Sequence, residues 1–299
     1  MQMPSAEFEA VVAAMRGRER PETPPTLEET RAGFEAGFAS FVVPDGVEVT
    51  EIDLGGVPGE RIVPPNVDAG RTILYFHGGG YMVGSLATHR HLVAALAVAS
   101  RATVLNVDYR LSPENAFPAA LDDAVAAYRW HLESGGDARH TVVAGDSAGG
   151  GLTMGLLLRL RDEGDALPAG GVGISPWVDL TCTAASFDER AHLDPMVQRD
   201  FLVPMTQAYL GGGDPLHPYA SPLFGDHAEL PPLLVHVGTS ETLHDDAAQL
   251  SAKASDAGVD VTFEAWEDMC HVWHLYVGLV PESQQAVDRI GEWVRERTR

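Results

Sequence analysis

Thr141-Val142-Val143-Ala144-Gly145-Asp146-Ser147-Ala148-Gly149 is the stretch whose reading decides the fold. Its β-branched, apolar first half predicts a buried strand, and the apolar segment from Gly151 to Leu158 has helical spacing. Between them, Gly145-Asp146-Ser147-Ala148-Gly149 predicts a turn sharp enough to strain its central residue. Glycine is needed at both ends because a larger side chain would collide with the neighbouring strand or helix. Such a turn pushes the Ser147 hydroxyl out above the sheet. The following helix aims its N-terminal amides at the same spot, so the Ala148 amide is placed to stabilise charge on a substrate oxygen.

Working outward, apolar strands alternate with longer helical segments from Thr72 onward, the signature of an α/β chain with a mostly parallel sheet covered on both faces. Strands are expected at Thr72–Phe76, Thr103–Val107, Thr141–Ala144, Gly171–Ser175, Leu233–Val237 and Val259–Ala265. Helices are expected at His89–Ser100, Ala119–Glu133, Ala148–Glu163, Asp245–Ala257 and Pro281–Arg297. Upstream, Val47–Leu54 and Arg61–Val63 flank a glycine-rich turn and read as a hairpin. Ala6–Arg16 and Leu27–Phe38 read as helices. The Pro176–Pro231 gap is too long for an ordinary connection and implies an inserted cap. We therefore expect N-terminal cap helices in 1–45, one catalytic domain in 46–184 and 226–299, and a cap insertion at 185–225.

The 299 residues, 45% hydrophobic, suffice for a large core. A formal net charge of −23, with Lys253 the only lysine, excludes nucleic-acid and anionic-membrane binding, which need clustered cations. Met1 to Glu7 lack a basic region leading into an apolar core, and no apolar run approaches a membrane span, so a cytoplasmic protein is expected. Cys182 and Cys270 show no metal-ligand spacing and are expected as reduced thiols.

A serine needs a base, and the base an orienting carboxylate. In strand-turn-helix hydrolases the acid follows a later strand and the histidine the next one. His271 falls in the loop after Val259–Ala265 and is the expected base; His274 lies a turn later. After Leu233–Val237 come Glu241, nearer the strand end, and Asp245-Asp246, which read as first-turn helix residues complementing its dipole. Glu241 is the candidate acid, with Asp245 as rival. Upstream, the strand ending at Phe76 runs into His77-Gly78-Gly79-Gly80. Three glycines there suit exposed amides and close backbone approach. Gly78 and Gly79 are the expected oxyanion donors beside Ala148, with His77 as a prop for the loop. No metal or cofactor is expected: His89 and His91 would project to different faces of a helix and read as a solvated face, and Asp268, His271 and His274 have no third neutral or thiolate ligand nearby apart from Cys270.

These residues resemble the bacterial esterases of the hormone-sensitive-lipase group, within the α/β-hydrolase fold. The matching stretches are His77 to Gly80, Asp108 to Glu114 continuing through Phe117 to Ala120, Gly145 to Gly149, Ser175 to Leu180, and Ser221-Pro222-Leu223. The resemblance implies a carboxylester hydrolase with Ser147 as nucleophile, His271 as base and a cap over the acyl pocket. One departure stands out: many members carry Asp-Pro-Leu where this chain has Glu241-Thr242-Leu243, which makes the acid a glutamate and keeps Asp245 open. Met269 to Trp273 also resembles relatives acting on lactones and small acyl esters. The expected substrates are short to medium acyl esters. Lactonase, amidase and thioesterase share the machinery, and a receptor without turnover, as in the plant gibberellin receptor, is the alternative of a different class, which retention of His271 disfavours. Homodimerisation through the edge strand Val259–Ala265 is also implied by the resemblance.

Overall fold

Strands that read as unbroken apolar runs become the interior of the sheet, because in them both faces are covered. The structure, a computed structural model, describes residues 3–17 and 24–299. Met1, Gln2 and residues 18–23 of the expected segment 1–45 lie outside the described residues.

Among the described residues, eight strands form one sheet: β1 (Glu48–Asp53), β2 (Pro58–Val63), β3 (Thr72–Phe76), β4 (Thr103–Val107), β5 (Thr141–Asp146), β6 (Gly170–Ile174), β7 (Leu233–Gly238) and β8 (Val261–Trp266), in the order β1-β2-β4-β3-β5-β6-β7-β8. The β1–β2 hairpin turns between Asp53 and Pro58 and joins β4 antiparallel; all other pairs are parallel. Side chains alternate between faces with period two. Leu74, Phe76, Leu105 and Val143 enter one core with α4 (Ala119–Glu133), α5 (Ala148–Glu163) and α8 (His244–Asp256). Ile73, Tyr75, Val104 and Val142 enter the other with α3 (Leu86–Ser100) and α9 (Pro281–Arg297). The expected α/β architecture is thus observed. Boundaries differ where capping decides them: α3 starts three residues before His89, because Ser85 and Thr88 form a reciprocal capping box. β8 starts at Val261, because Val259 still donates back to the Ala254 carbonyl.

Two further layers cross the carboxyl ends of the strands. α1 (Ala6–Arg16) packs Phe8 and Met15 against Met269, Cys270 and Trp273. Ser5 donates to Glu282 at the start of α9 through its amide (2.6 Å) and hydroxyl (2.7 Å). α2 (Leu27–Phe38) is pinned by Arg31, which donates to the carbonyls of Met82 (2.8 Å) and Ser112 (3.0 Å) and pairs with Glu114. Between β6 and β7 lie α6 (Ser186–Glu189) and α7 (Arg199–Leu210). Tyr209 of α7 stacks on Tyr81 with ring centroids 3.7 Å apart. The insertion therefore sits on the segment that follows the glycine run.

The reading of His89 and His91 as a solvated face is corrected: both rings are buried. Aromatic rings from α2 and the turn after it cover this end of α3, with Phe41 4.5 Å and Phe38 5.9 Å from the His91 ring. His91 Nε2 lies 2.7 Å from the Leu275 carbonyl.

Candidate active site

Ser147 has φ 52° and ψ −118°, a strained conformation held from both sides. Its amide donates to the Ile174 carbonyl (2.8 Å), and its carbonyl accepts from the Trp177 amide (2.9 Å). The glycine requirement is steric: a Cβ on Gly149 would sit 2.6 Å from the His77 carbonyl oxygen, and one on Gly145 2.7 Å from the Phe76 oxygen. The turn thus lets α5 descend directly onto the end of β3. Ser147 remains partly exposed, unlike its neighbours Asp146 and Ala148.

His271 and Glu241 meet at the ends of the last two strands. Glu241 Oε2 lies 2.6 Å from His271 Nδ1, and both side chains are buried. The other carboxylate oxygen, Oε1, accepts from the Gly238 amide (2.6 Å) and the Ser175 hydroxyl (2.8 Å). Ser175 Oγ in turn accepts from the Val272 amide at 3.1 Å, so one serine ties the acid loop to the base loop. Burial pushes the His271 imidazole down, but the Glu241 hydrogen bond and charge, with Asp194 and Asp146 beyond, outweigh it and leave the group above its usual 6.5. Asp245 and Asp246 are occupied elsewhere in the first turn of α8. Asp245 accepts from the Ser186 amide, and Asp246 from those of Val178 and Asp179. Of the carboxylates weighed as the acid, only Glu241 reaches His271.

The glycine run needs one correction. The Gly78 amide is not available to an oxyanion, because it donates to Asp146 Oδ1 at 3.0 Å. The next amides are the candidates: those of Gly79 (φ +118°) and Gly80 (φ +61°), with that of Ala148, have no acceptor among the described residues. Sequence reasoning missed Gly80, since three identical residues do not reveal which amide is spoken for. His77 lies beneath this loop: its Nδ1 donates to the Gly78 carbonyl (2.8 Å), and Tyr109 stacks on the ring at 4.5 Å. Burial, reinforced by nearby His89, pushes His77 down to about 4. A neutral ring with this bond suits a prop rather than a proton carrier. Asp146 also accepts from Tyr75 Oη (2.7 Å) and faces His89 Nε2 (3.3 Å), so a buried polar network underlies the oxyanion loop.

Cys182 and Cys270 are free, buried thiols. Burial pushes Cys182 up to about 12 and Cys270 higher, leaving neither a ready nucleophile. Among the described residues no group of three His, Cys, Asp or Glu side chains is disposed to hold a metal ion, and no helix is long and apolar enough to cross a membrane.

The family described as the alpha/beta hydrolase fold matches residues 73–275. An acetyl-hydrolase of Streptomyces hygroscopicus is 47% identical over 264 residues, covering 88% of this chain and 87% of the relative. An esterase of Acinetobacter venetianus is 36% identical, covering 83% and 82%. The crystal structure of an esterase from the bacterial hormone-sensitive lipase family superposes with a TM-score of 0.96 at 43% identity, covering all of both chains. EstE5, in a crystal soaked with p-nitrophenyl butyrate, superposes at 0.95 with 44% identity, covering 98% of this chain and 99% of that one. With the strained serine turn, the Glu241–His271 pair and the glycine loop at one end of a single sheet, the chain belongs to the α/β-hydrolase fold family, in its hormone-sensitive-lipase group.

Proposed function

We propose that this protein is a carboxylic ester hydrolase acting through Ser147, His271 and Glu241. The observation that carries this reading is the 2.6 Å contact between His271 Nδ1 and Glu241 in the loops after β8 and β7, in the same sheet whose strand β5 leads into the strained Ser147 turn. With Nδ1–H donated to the carboxylate, Nε2 is free to accept the Ser147 proton as Oγ attacks the ester carbonyl carbon. The Gly79, Gly80 and Ala148 amides receive the oxyanion of the tetrahedral intermediate. When it collapses, the ester C–O bond breaks and His271 returns the proton to the leaving alkoxide. Water, deprotonated by the same imidazole, attacks the acyl-enzyme carbonyl and releases the acid, with the proton going back to Ser147.

The substrate reading is short to medium acyl esters. It is supported by a butyrate ester having been chosen as the soaking compound for the similar EstE5, and by the Tyr81–Tyr209 stack, where α7 comes down beside the glycine loop. Segments 1–45 and 185–225 act as the cap. The protein pairs with a second copy along β8, an edge strand on which Phe263 is 39% exposed, and it works in the cytoplasm, whose reducing conditions suit the unpaired thiols. Hydrolysis of p-nitrophenyl esters from acetate to palmitate tests the function. Rates should peak between acetate and octanoate and vanish in Ser147→Ala; a palmitate optimum contradicts the substrate range, and persistent turnover in the variant contradicts the mechanism.

A further inference from the structure

The insertion between β6 and β7 reaches the acid loop through one buried carboxylate. Asp194, 4% exposed, accepts the amides of Met196 (2.8 Å) and Val197 (2.9 Å) on Oδ1, closing a turn within the insertion. Its Oδ2 accepts the Thr242 amide at 2.9 Å and lies 3.3 Å from the Thr242 hydroxyl. Thr242 directly follows Glu241, so the insertion grips the backbone that carries the acid. Both Asp194 oxygens are met by amide donors, the pattern an ionised carboxylate matches and a protonated one would waste.

We propose that Asp194 is a positioning residue for the hydrolytic reaction: it locks Thr242, and with it Glu241, in place, and sets a second negative charge behind Glu241 that stabilises the His271 imidazolium formed in acyl transfer. The proposal rests on His271 being the general base. The charged and titratable groups facing that imidazole come from four directions. Glu241 follows β7, Asp146 ends β5, Asp194 comes from the insertion, and His274 lies on the turn after His271 itself. Burial lifts the Asp194 carboxyl above its ordinary range, opposed first by the charge of His271 and then by the three amide bonds. The coupling is reciprocal: each group favours the charged form of the other. An amide in place of Asp194 removes the charge and one of the two acceptors, whereas a glutamate keeps the charge, so the pair of variants separates the two roles.

The test is the pH dependence of kcat/KM for p-nitrophenyl butyrate hydrolysis, whose acid limb reports the base of the free enzyme. In the wild type the limb should lie above pH 6.5, where the imidazole is held. Asp194→Asn should move it to lower pH by on the order of one unit, while kcat falls roughly 10-fold and KM changes little. A folded Asp194→Asn whose activity drops equally at every pH, with the limb unmoved, overturns the proposal, since that is what a purely structural residue would give. Should the amide variant not fold, Asp194→Glu carries the test. It keeps the charge on a longer arm, so the limb should stay at the wild-type position while kcat falls; a limb displaced downward overturns the proposal. Ser147→Ala serves as control: activity that survives in it defeats the triad reading, whereas Ser147-dependent activity with an unmoved limb in Asp194→Asn defeats only the role of Asp194.

Discussion

At Glu241 the carboxylate makes the contact with His271 that spacing left open between it and Asp245. Its carboxylate spans from the Gly238 amide and Ser175 hydroxyl on one oxygen to His271 on the other, while Asp245 caps the short helix α6. Glu241→Gln should therefore lower kcat by several orders of magnitude, on the scale of the ~10⁴-fold loss when a triad carboxylate becomes an amide, with KM little changed. Asp245→Asn should leave turnover near normal and cost about 0.3–1 kcal/mol of stability at the N-terminus of α8. Steady-state kinetics and urea melts on the two variants check this, and the opposite pattern would assign the acid role to Asp245. The places of Ser147 and His271, after the ends of β5 and β8, were legible because periodicity marks those strands. Ser175 and Asp194 were not, since their roles lie in bonds to the Glu241 carboxylate, 66 residues away, and to the Thr242 amide, 48 residues away. Gly78 misled because the acceptor that claims its amide, Asp146, comes from another strand.

Elements explain why some glycines are fixed and others free. Gly149 lies where α5 meets the end of β3, and a Cβ there would overlap main-chain oxygens that cannot swing aside. Gly149→Ala should destabilise the fold by about 1–3 kcal/mol or more, as overpacking does, and cut activity by tilting the Ala148 amide away. Gly33, exposed in the middle of α2, has nothing within 4 Å of an added Cβ. Gly33→Ala should stabilise by about 0.5–1 kcal/mol through helix propensity and loss of unfolded-state freedom. Equilibrium denaturation of both separates the cases, and a neutral Gly149→Ala would contradict the packing described. Most helices and strands were readable because their periodicity is strong. The burial of His89 and His91 was not, because it depends on rings delivered by α2 and the turn after it, which no local pattern on α3 announces.

For the whole molecule, stability should respond to acid through buried imidazoles. Burial pushes His77 and His91 down to about 4, and His236 and His274 also below 6.5. A group whose folded value is depressed contributes stability that is present above its unfolded value and lost as pH falls through the folded one. The melting temperature should thus decline from about pH 6.5 towards 4. His271 runs the other way: being raised, its contribution is present below 6.5 and fades as pH rises through its folded value. Because that contribution is already complete at 6.5, it does not offset the loss from the buried rings between pH 6.5 and 4, and a melting temperature that rises over this window would contradict the buried neutral rings. The α/β architecture was legible from alternating periods. How the insertion fastens to the acid loop was not, because such contacts follow from three-dimensional closure.

The central claim is that one strained serine, backed by His271 and Glu241, carries the chemistry. Incubation with a fluorophosphonate followed by peptide mass spectrometry tests it most directly. A single adduct should form on Ser147, its rate falling in Glu241→Gln and the adduct being absent in Ser147→Ala. An adduct on Cys270 or another residue, or ester turnover that survives complete labelling of Ser147, would contradict the account.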